Sequence, residues 1–174
     1  MLKPLALLLL TLQALYAAAE PTQVIVVRHA ERAAEPRDDP PLSPEGVARA
    51  ELLAEMLQAA NVTAIVTTAY RRTQETAAPL AKKRGLAPTI IPVRRGELPA
   101  HIAEVAAAVR QASGAVLVVG HSNTVTEIVA ALSGSKPSPL CETSFSNLFV
   151  LSPNAPALQL KFGKPDAAAA AGCQ

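Results

Sequence analysis

The chain is poor in aromatic residues and in charge. Of its 174 residues, 3% are aromatic, none is Trp, and only 17% are charged. So few aromatic rings exclude a base-stacking surface for nucleic acids and an aromatic cage for sugars. With 16 Lys and Arg against 14 Asp and Glu, the chain also lacks the basic surface that nucleic-acid-binding proteins use. We therefore expect no nucleic-acid partner.

Hydrophobic residues, in contrast, make up 50% of the sequence. This content and the low charge exclude a disordered chain. Because aromatic residues are scarce, we expect a core of Val, Leu, Ile and Ala. The length is typical of one domain, and neither an internal repeat nor an interdomain linker is evident.

The first residues have the pattern of an export signal. Met1–Ala19 contains one Lys, a Leu-rich stretch, and small residues at Ala17 and Ala19. The apolar stretch is short for a membrane span of ~20 residues. No Cys lies near Ala19, so a lipid anchor is not indicated. We predict a signal peptide over residues 1–19 and one domain over residues 20–174. The mature protein is then expected in a bacterial periplasm or outside the cell, without stable membrane association.

Both cysteines, Cys141 and Cys173, lie in the predicted mature chain. In an oxidising compartment two cysteines favour a disulfide. A Cys141–Cys173 bridge would tie the Ala-rich carboxyl-terminal tail to the domain. Two reduced thiols remain the alternative, because two cysteines form no diagnostic spacing pattern.

Apolar runs of strand type alternate with segments of helical periodicity. Strands are predicted at Gln23–Val27, Val62–Thr67, Thr89–Val93, Ala115–Val119, Asn147–Leu151 and Ala157–Phe162; helices are predicted from Pro44 onward and over Arg72–Arg84, Pro99–Gln111 and Thr124–Leu132. Such alternation predicts a three-layer α/β/α sandwich with a mostly parallel sheet. The last two strands are expected to form an antiparallel hairpin at its margin.

Three predicted strands end in polar clusters. The first runs into Arg28-His29-Ala30-Glu31-Arg32, the fourth into Gly120-His121-Ser122-Asn123-Thr124, and the second into Thr68 and then Arg71-Arg72-Thr73. In open α/β sheets, ligands bind beyond the carboxyl ends of the strands. We expect two imidazoles and at least two guanidiniums to meet at this edge. Such a cationic pocket, next to a helix start, suits a phosphoryl group.

Each of these residues also has an ordinary structural role available to it, since a lone His is often structural and an Arg at a helix start is often solvated. Their convergence on one edge favours a site. Two alternatives stay open at this point. One is a non-catalytic protein that binds an anion. The other is a metallohydrolase that uses His29, Glu31 and His121, although no His-Glu-x-x-His pattern supports it.

The same segments carry a family resemblance. Arg28-His29-Ala30-Glu31 resembles the Arg-His-Gly-Glu signature of the histidine phosphatase superfamily, the phosphoglycerate-mutase-like proteins. Leu42–Gly46 is similar to the helix opening of that family, Thr68–Ala77 to its Arg-containing segment, and Val119–Ser122 to the segment with its second His. The resemblance extends from about Val24 to Val150, and four motifs in order make it specific.

This resemblance implies a phosphatase that acts through a phosphohistidine on His29. Arg28, Arg72 and His121 would bind the phosphate, with Asn123 as a further substrate-binding residue. The register of the resemblance selects Arg72 rather than its neighbour. Neither a metal nor another cofactor is implied, and the expected substrate is a small phosphomonoester of broad or unknown identity.

Several points are left open by the motifs. The proton donor is expected to be Glu97, with Glu31 as the rival, although Glu31 could instead orient Arg72. Ala30 stands where the family has Gly, which restricts the backbone there. Mutase activity is disfavoured, because relatives with that activity are larger and an exported protein would not meet glycolytic intermediates.

Overall fold

The computed structural model describes residues 20–167, so the predicted export signal and Cys173 lie outside the described residues. In chain order the elements are β1 Pro21–Arg28, α1 Pro44–Met56, β2 Val62–Thr67, α2 Arg71–Arg84, β3 Thr89–Ile90, α3 Leu98–Arg110, β4 Gly114–Gly120, α4 Ser122–Ser133, β5 Asn147–Leu151 and β6 Leu158–Lys161. Within this range, none of the helices combines the length and apolar character needed to cross a membrane.

The six strands form one sheet in the order β3-β2-β4-β1-β5-β6. The first four are mutually parallel, whereas β5 pairs antiparallel with β1 and with β6. This arrangement confirms the predicted sandwich and its antiparallel margin. The third strand is shorter than the predicted Thr89–Val93, because Pro92 has no N–H to donate to a ladder.

Successive side chains of the buried strands point to opposite faces of the sheet, so two core layers form. Ile25 of β1 packs into a cluster that contains Leu53 of α1 and Leu80 of α2. Val26, the next residue, faces the opposite cluster, which contains Val105 of α3. A slip of one residue would exchange the two faces of the strand, but both faces are apolar, so helix packing must fix the register together with the sheet. In the observed register Arg28 of β1 lies beside Gly120 of β4.

The start of α1 is held against the loop that follows β1. Ser43 caps the helix by accepting a hydrogen bond from the Gly46 N–H at 3.2 Å, and Pro44 occupies the first turn. A Cβ at Gly46 would lie 2.0 Å from the Glu31 carbonyl oxygen. Only a glycine permits this approach, which places the first turns of α1 directly beside the residues that follow His29.

Candidate active site

A cavity of about 370 Å³ lies at the edge of the sheet where β1, β2 and β4 end. It is lined by His29, Arg32, Arg37, Asp38, Pro40, Tyr70, Arg72, Val93, His121, Ser122, Asn123 and Glu142. The parallel pairing of β1 with β4 explains why two histidines 92 positions apart share one cavity. Of the residues predicted from the sequence, His29, Arg72, His121 and Asn123 all line it.

His29 is buried and held in a single tautomer. The β1–β4 ladder continues into it, since its N–H donates to the Gly120 carbonyl at 2.9 Å. Its Nδ1 lies 2.8 Å from the Ala30 carbonyl oxygen. A carbonyl only accepts, so Nδ1 carries the proton and Nε2 keeps its lone pair. Burial, together with the positive charge of Arg28, lowers the pKa of His29 to about 3. A neutral imidazole with an unprotonated Nε2 is what a nucleophilic His requires.

His121 lies beside His29, with 5.4 Å between the ring centroids. Arg72 Nη2 is 3.4 Å from its Nδ1, and Thr68 Oγ1 is 3.0 Å from its Nε2. A guanidinium only donates, so Nδ1 accepts and Nε2 donates to Thr68. Burial is also the main cause that lowers the pKa of His121 to about 3. Thr68 is itself held by Thr73, whose hydroxyl is 2.9 Å away. The sequence predicted Thr68 at the end of the second strand, but it gave no indication of the contact between Thr68 and His121.

Arg28 is buried at the end of β1 and is wrapped by the segment before β5. Its Nη1 donates to the carbonyls of Cys141 at 2.8 Å and Ser144 at 3.4 Å. Its Nη2 donates to Glu142 Oε2 at 2.8 Å. The Phe145 ring covers the guanidinium, with 4.3 Å from Cζ to the ring centroid. These contacts fix the orientation of Arg28 next to His29.

Arg72 enters the cavity from the first turn of α2. It stacks on Tyr70, with 4.2 Å from Cζ to the ring centroid, and its Nη1 is 3.9 Å from Asp39 Oδ1. Arg71, in contrast, pairs with Glu75 on the exposed side of the helix at 3.1 Å. The structure therefore brings Arg72 to the histidines, and it does not bring Arg71 there.

Two guanidinium nitrogens at this site lack partners. The Nε atoms of Arg28 and Arg72 are buried and make no hydrogen bond within residues 20–167. A buried donor without a partner costs about 1–3 kcal/mol. Charge-assisted bonds to an oxyanion would satisfy such donors.

Glu31 does not have the role that the sequence suggested. Its carboxylate accepts from Arg49 Nε at 2.9 Å and from Arg49 Nη2 at 2.6 Å. The expectation that it orients Arg72 is therefore wrong. The reason is the close approach at Gly46, which brings α1 and Arg49 against Glu31. With this carboxylate engaged, the ligand set that the metal alternative needs is not assembled.

Glu97 is likewise not brought into the cavity. It precedes α3, is about half exposed, and pairs with Arg94 at 3.6 Å. Helix α3 follows β3, which β2 and β4 separate from β1 in the sheet. Its predicted role as proton donor has no support from this position.

Glu142, one of two carboxylates that line the cavity, was not predicted from the sequence. Glu142 lies in the irregular segment between α4 and β5, where it contacts Arg28 and accepts a hydrogen bond from the Ser122 hydroxyl. No motif or periodicity marks this position. Only the packing of the segment around Arg28 reveals it.

A comparison with protein families finds a match over part of the chain. The family model described as the histidine phosphatase superfamily (branch 1) matches residues 24–95, which include Arg28, His29 and Arg72. The match covers 72 of the 174 residues. This agrees with the resemblance seen in the motifs. No curated protein sequence matches the chain significantly.

Solved structures of several phosphatases share the fold of this chain. The protein histidine phosphatase SixA complexed with tungstate is 20% identical, with 80% of this chain and 96% of that chain covered and a TM-score of 0.61. Mycobacterial glucosyl-3-phosphoglycerate phosphatase with inorganic phosphate is 16% identical, with 82% and 96% covered and a TM-score of 0.55. Phosphoserine phosphatase of Entamoeba histolytica with 3-phosphoglyceric acid is 14% identical, with 82% and 97% covered and a TM-score of 0.57. At these identities the likeness establishes the phosphoglycerate-mutase-like fold alone.

Proposed function

We propose that this protein hydrolyses phosphomonoesters, without a metal, through a phosphohistidine on His29. One observation carries the proposal. An uncharged imidazole with a free Nε2 shares a cavity with Arg72 and directly follows the buried Arg28, and the buried Nε atoms of both arginines lack partners within residues 20–167. A tetrahedral oxyanion would bond to these donors while its phosphorus faces the nucleophile.

In the proposed mechanism, His29 Nε2 attacks phosphorus as the bond to the leaving oxygen breaks. Phosphoryl transfer depends mainly on positioning and on stabilisation of charge at the phosphoryl oxygens. Arg28 and Arg72 supply that charge from fixed positions, and His121 borders the same space. Water then attacks the phosphohistidine, which releases phosphate and restores His29.

The proposed substrate range is broad. The rim residues Arg37 and Asp38 are exposed, and Asn123 is exposed at the start of α4, so the rim offers few fixed contacts to a leaving group. Two of the similar structures are named as a glucosyl-3-phosphoglycerate phosphatase and a phosphoserine phosphatase, and both names denote small phosphomonoesters. A small phosphomonoester is therefore the substrate class that we propose.

From the predicted export signal, we propose that this activity occurs in the periplasm or outside the cell. Such a compartment would favour the predicted Cys141–Cys173 disulfide. Cys141 is buried within the segment that holds Arg28, and its carbonyl accepts from that arginine. Intact mass of the mature protein, with and without reductant and alkylation, tests both the cleavage after Ala19 and the disulfide.

The test of function is turnover of an aryl phosphate by the mature protein in the presence of a chelator. We expect activity that the chelator does not change, an acid-labile and base-stable phosphoenzyme, and loss of both in His29→Ala. The loss should exceed ~10³-fold, because the covalent route is removed. Retained phosphate binding without turnover in the unmodified protein would favour an anion-binding protein. Inhibition by the chelator would favour the metal alternative.

Adjacent arginines offer a matched control for the same assay. Arg72→Ala should reduce turnover by about 10²-fold or more, since it removes a fixed cation from the cavity. Arg71→Ala removes the same side chain one position earlier, where it pairs with Glu75 on the surface. It should alter turnover by less than about threefold, because exposed pairs contribute little. Equal losses in the two variants would contradict the assignment of Arg72.

A further inference from the structure

We propose that Glu142 is the group that gives a proton to the leaving oxygen and later takes one from the attacking water. This inference rests on the proposed function, since it assigns a residue to a step of that reaction. It does not coincide with either carboxylate that the sequence suggested. Three features of the structure carry it: the position of Glu142, the charges around it, and the engagement of the other carboxylates.

The position of Glu142 is fixed by the chain that wraps Arg28. The carbonyls of Cys141 and Ser144, on either side of it, both accept from Arg28 Nη1. One carboxylate oxygen lies 2.8 Å from Arg28 Nη2, and the other accepts from the hydroxyl of Ser122 at the start of α4. The carboxylate is thus held at the wall of the cavity that contains His29. Its side chain is nevertheless 78% exposed, so the cavity and solvent can both reach it.

The surroundings of Glu142 are mostly cationic. The charged groups that line its cavity or act on it are Arg28 of β1, Arg32, Arg37 and Asp38 of the following loop, and Arg72 of α2. The two histidines of the cavity are neutral, with pKa values of about 3. The hydrogen bond from Ser122, followed by the charge of Arg28, lowers the pKa of Glu142. In the resting protein the carboxylate is therefore ionised.

A bound phosphoryl group would raise the pKa of Glu142. It would engage the same arginines that stabilise the Glu142 carboxylate, and it would add negative charge beside it. Both effects favour the protonated form of Glu142, because a nearby like charge raises the pKa of a carboxyl group. Glu142 thus acquires a proton when substrate arrives, which is when the leaving oxygen needs one.

The other nearby carboxylates are engaged elsewhere or lack fixed contacts. Glu31 is bound by Arg49, and Glu97 pairs with Arg94 outside the cavity. Asp39 Oδ1 accepts from the Arg71 N–H at 3.0 Å and lies 3.9 Å from Arg72 Nη1, but Asp39 does not line the cavity. Asp38 lines the cavity, but within the described part of the chain it makes no hydrogen bond or ion pair. Asp38 is therefore the rival, and it supplies a matched variant.

The two steps balance as follows. In the first, the bond between His29 Nε2 and phosphorus forms, the bond from phosphorus to the leaving oxygen breaks, and that oxygen takes the Glu142 proton. Glu142 is left as the carboxylate that Arg28 and Ser122 stabilise. In the second, water attacks phosphorus and gives a proton to Glu142 as the phosphorus–nitrogen bond breaks. The sum is one ester and one water converted to one alcohol and one phosphate.

The test compares leaving groups in Glu142→Gln. Dinitrophenolate leaves without a proton, whereas an alkoxide requires one. The rate of phosphoenzyme formation, measured by rapid quench, should fall about 10²–10⁴-fold with an alkyl phosphate. With dinitrophenyl phosphate it should change less than about tenfold. Unmodified protein should also lose activity on the alkyl phosphate as pH rises through the pKa of Glu142 in the complex, and Glu142→Gln should not show this decline.

Two controls distinguish proton transfer by Glu142 from proton transfer by Asp38 and from a positioning role of Glu142. Asp38→Asn should leave the ratio of the two rates unchanged; a selective loss on the alkyl phosphate in this variant would assign the role to Asp38 and overturn the inference. An equal loss on both substrates in Glu142→Gln, with weaker inhibition by tungstate, would mean that Glu142 only positions Arg28, and this also overturns it. If the unmodified protein forms no phosphoenzyme with dinitrophenyl phosphate, the proposed function itself fails.

Discussion

Two buried arginines, Arg49 and Arg28, each pair with a glutamate, and the two pairs differ in how completely they are satisfied. Arg49 uses all three of its nitrogens: Nε and Nη2 bond to Glu31, Nη1 donates to the Phe162 carbonyl at 2.8 Å, and Nη2 also donates to the Lys164 carbonyl at 2.9 Å. Arg28 keeps a buried Nε without a partner in the described chain.

The partners of the two arginines differ as well. The side chain of Glu31 is only 15% exposed, whereas that of Glu142 is 78% exposed and borders the cavity. The Arg49 network, in which all three guanidinium nitrogens have partners, joins α1, the loop after β1 and the chain after β6, and such a network stabilises a fold. A network with a buried donor left over indicates a ligand, because folded proteins seldom leave such donors unpaired. The first pair is thus structural, and the second belongs to the site.

The largest difference that we expect between the two arginine–glutamate pairs is the loss of stability in Arg49→Met. Removing one member of a buried ion pair leaves the other uncompensated, which costs about 3–5 kcal/mol. The free energy of unfolding, from urea titration followed by circular dichroism, measures it. The double variant Glu31→Leu with Arg49→Met should recover part of this loss. If the single variant is as stable as the unmodified protein, the Arg49 network does not hold these elements together.

The next effect is catalytic and belongs to Arg28. Arg28→Met should reduce kcat/KM on an aryl phosphate by about 10²–10³-fold, the usual loss when a fixed donor to the reacting group is removed. Its unfolding free energy should fall less than that of Arg49→Met, because Glu142 is exposed and can be solvated. A variant that unfolds as readily as Arg49→Met yet keeps its activity would reverse the two assignments.

The smallest effect per pH unit is a dependence of stability on pH. The pKa values of His29 and His121 are lowered from 6.5 to about 3 in the folded protein. Between these values the unfolded chain binds more protons, so the free energy of unfolding should decrease as pH falls from 6.5 toward 3. Each histidine contributes up to ~1.4 kcal/mol per pH unit.

Unfolding titrations across this pH range measure the slope. His29→Asn cannot titrate at this position, so its slope should be shallower than that of the unmodified protein. Burial also lowers the pKa of His101 in α3, which acts in the same direction and remains in the variant. An identical slope in both proteins would contradict a neutral buried His29.

Most of the sheet and much of the site follow from local patterns. The β-branched runs at β1 and β4 predicted two buried strands, and the polar residues directly after them predicted the two histidines of the cavity. The predicted third strand was too long, because the pattern of Thr89–Val93 does not reveal that the ladder ends before Pro92. The contact of Glu142 with Arg28 could not be predicted, because Glu142 lies in an irregular segment that no motif or periodicity marks.

The sequence by itself determined which segments become strands and that His29 and His121 follow two of them, because side-chain pattern and backbone propensity act over a few residues. Tertiary structure alone decided which carboxylate meets which arginine. Glu31 is bound by Arg49 because α1 packs at Gly46, and Glu142 reaches Arg28 because the chain before β5 folds around it. Such pairs can join residues more than a hundred positions apart in the chain, as Arg28 and Glu142 are, so their partners are fixed only when the layers pack.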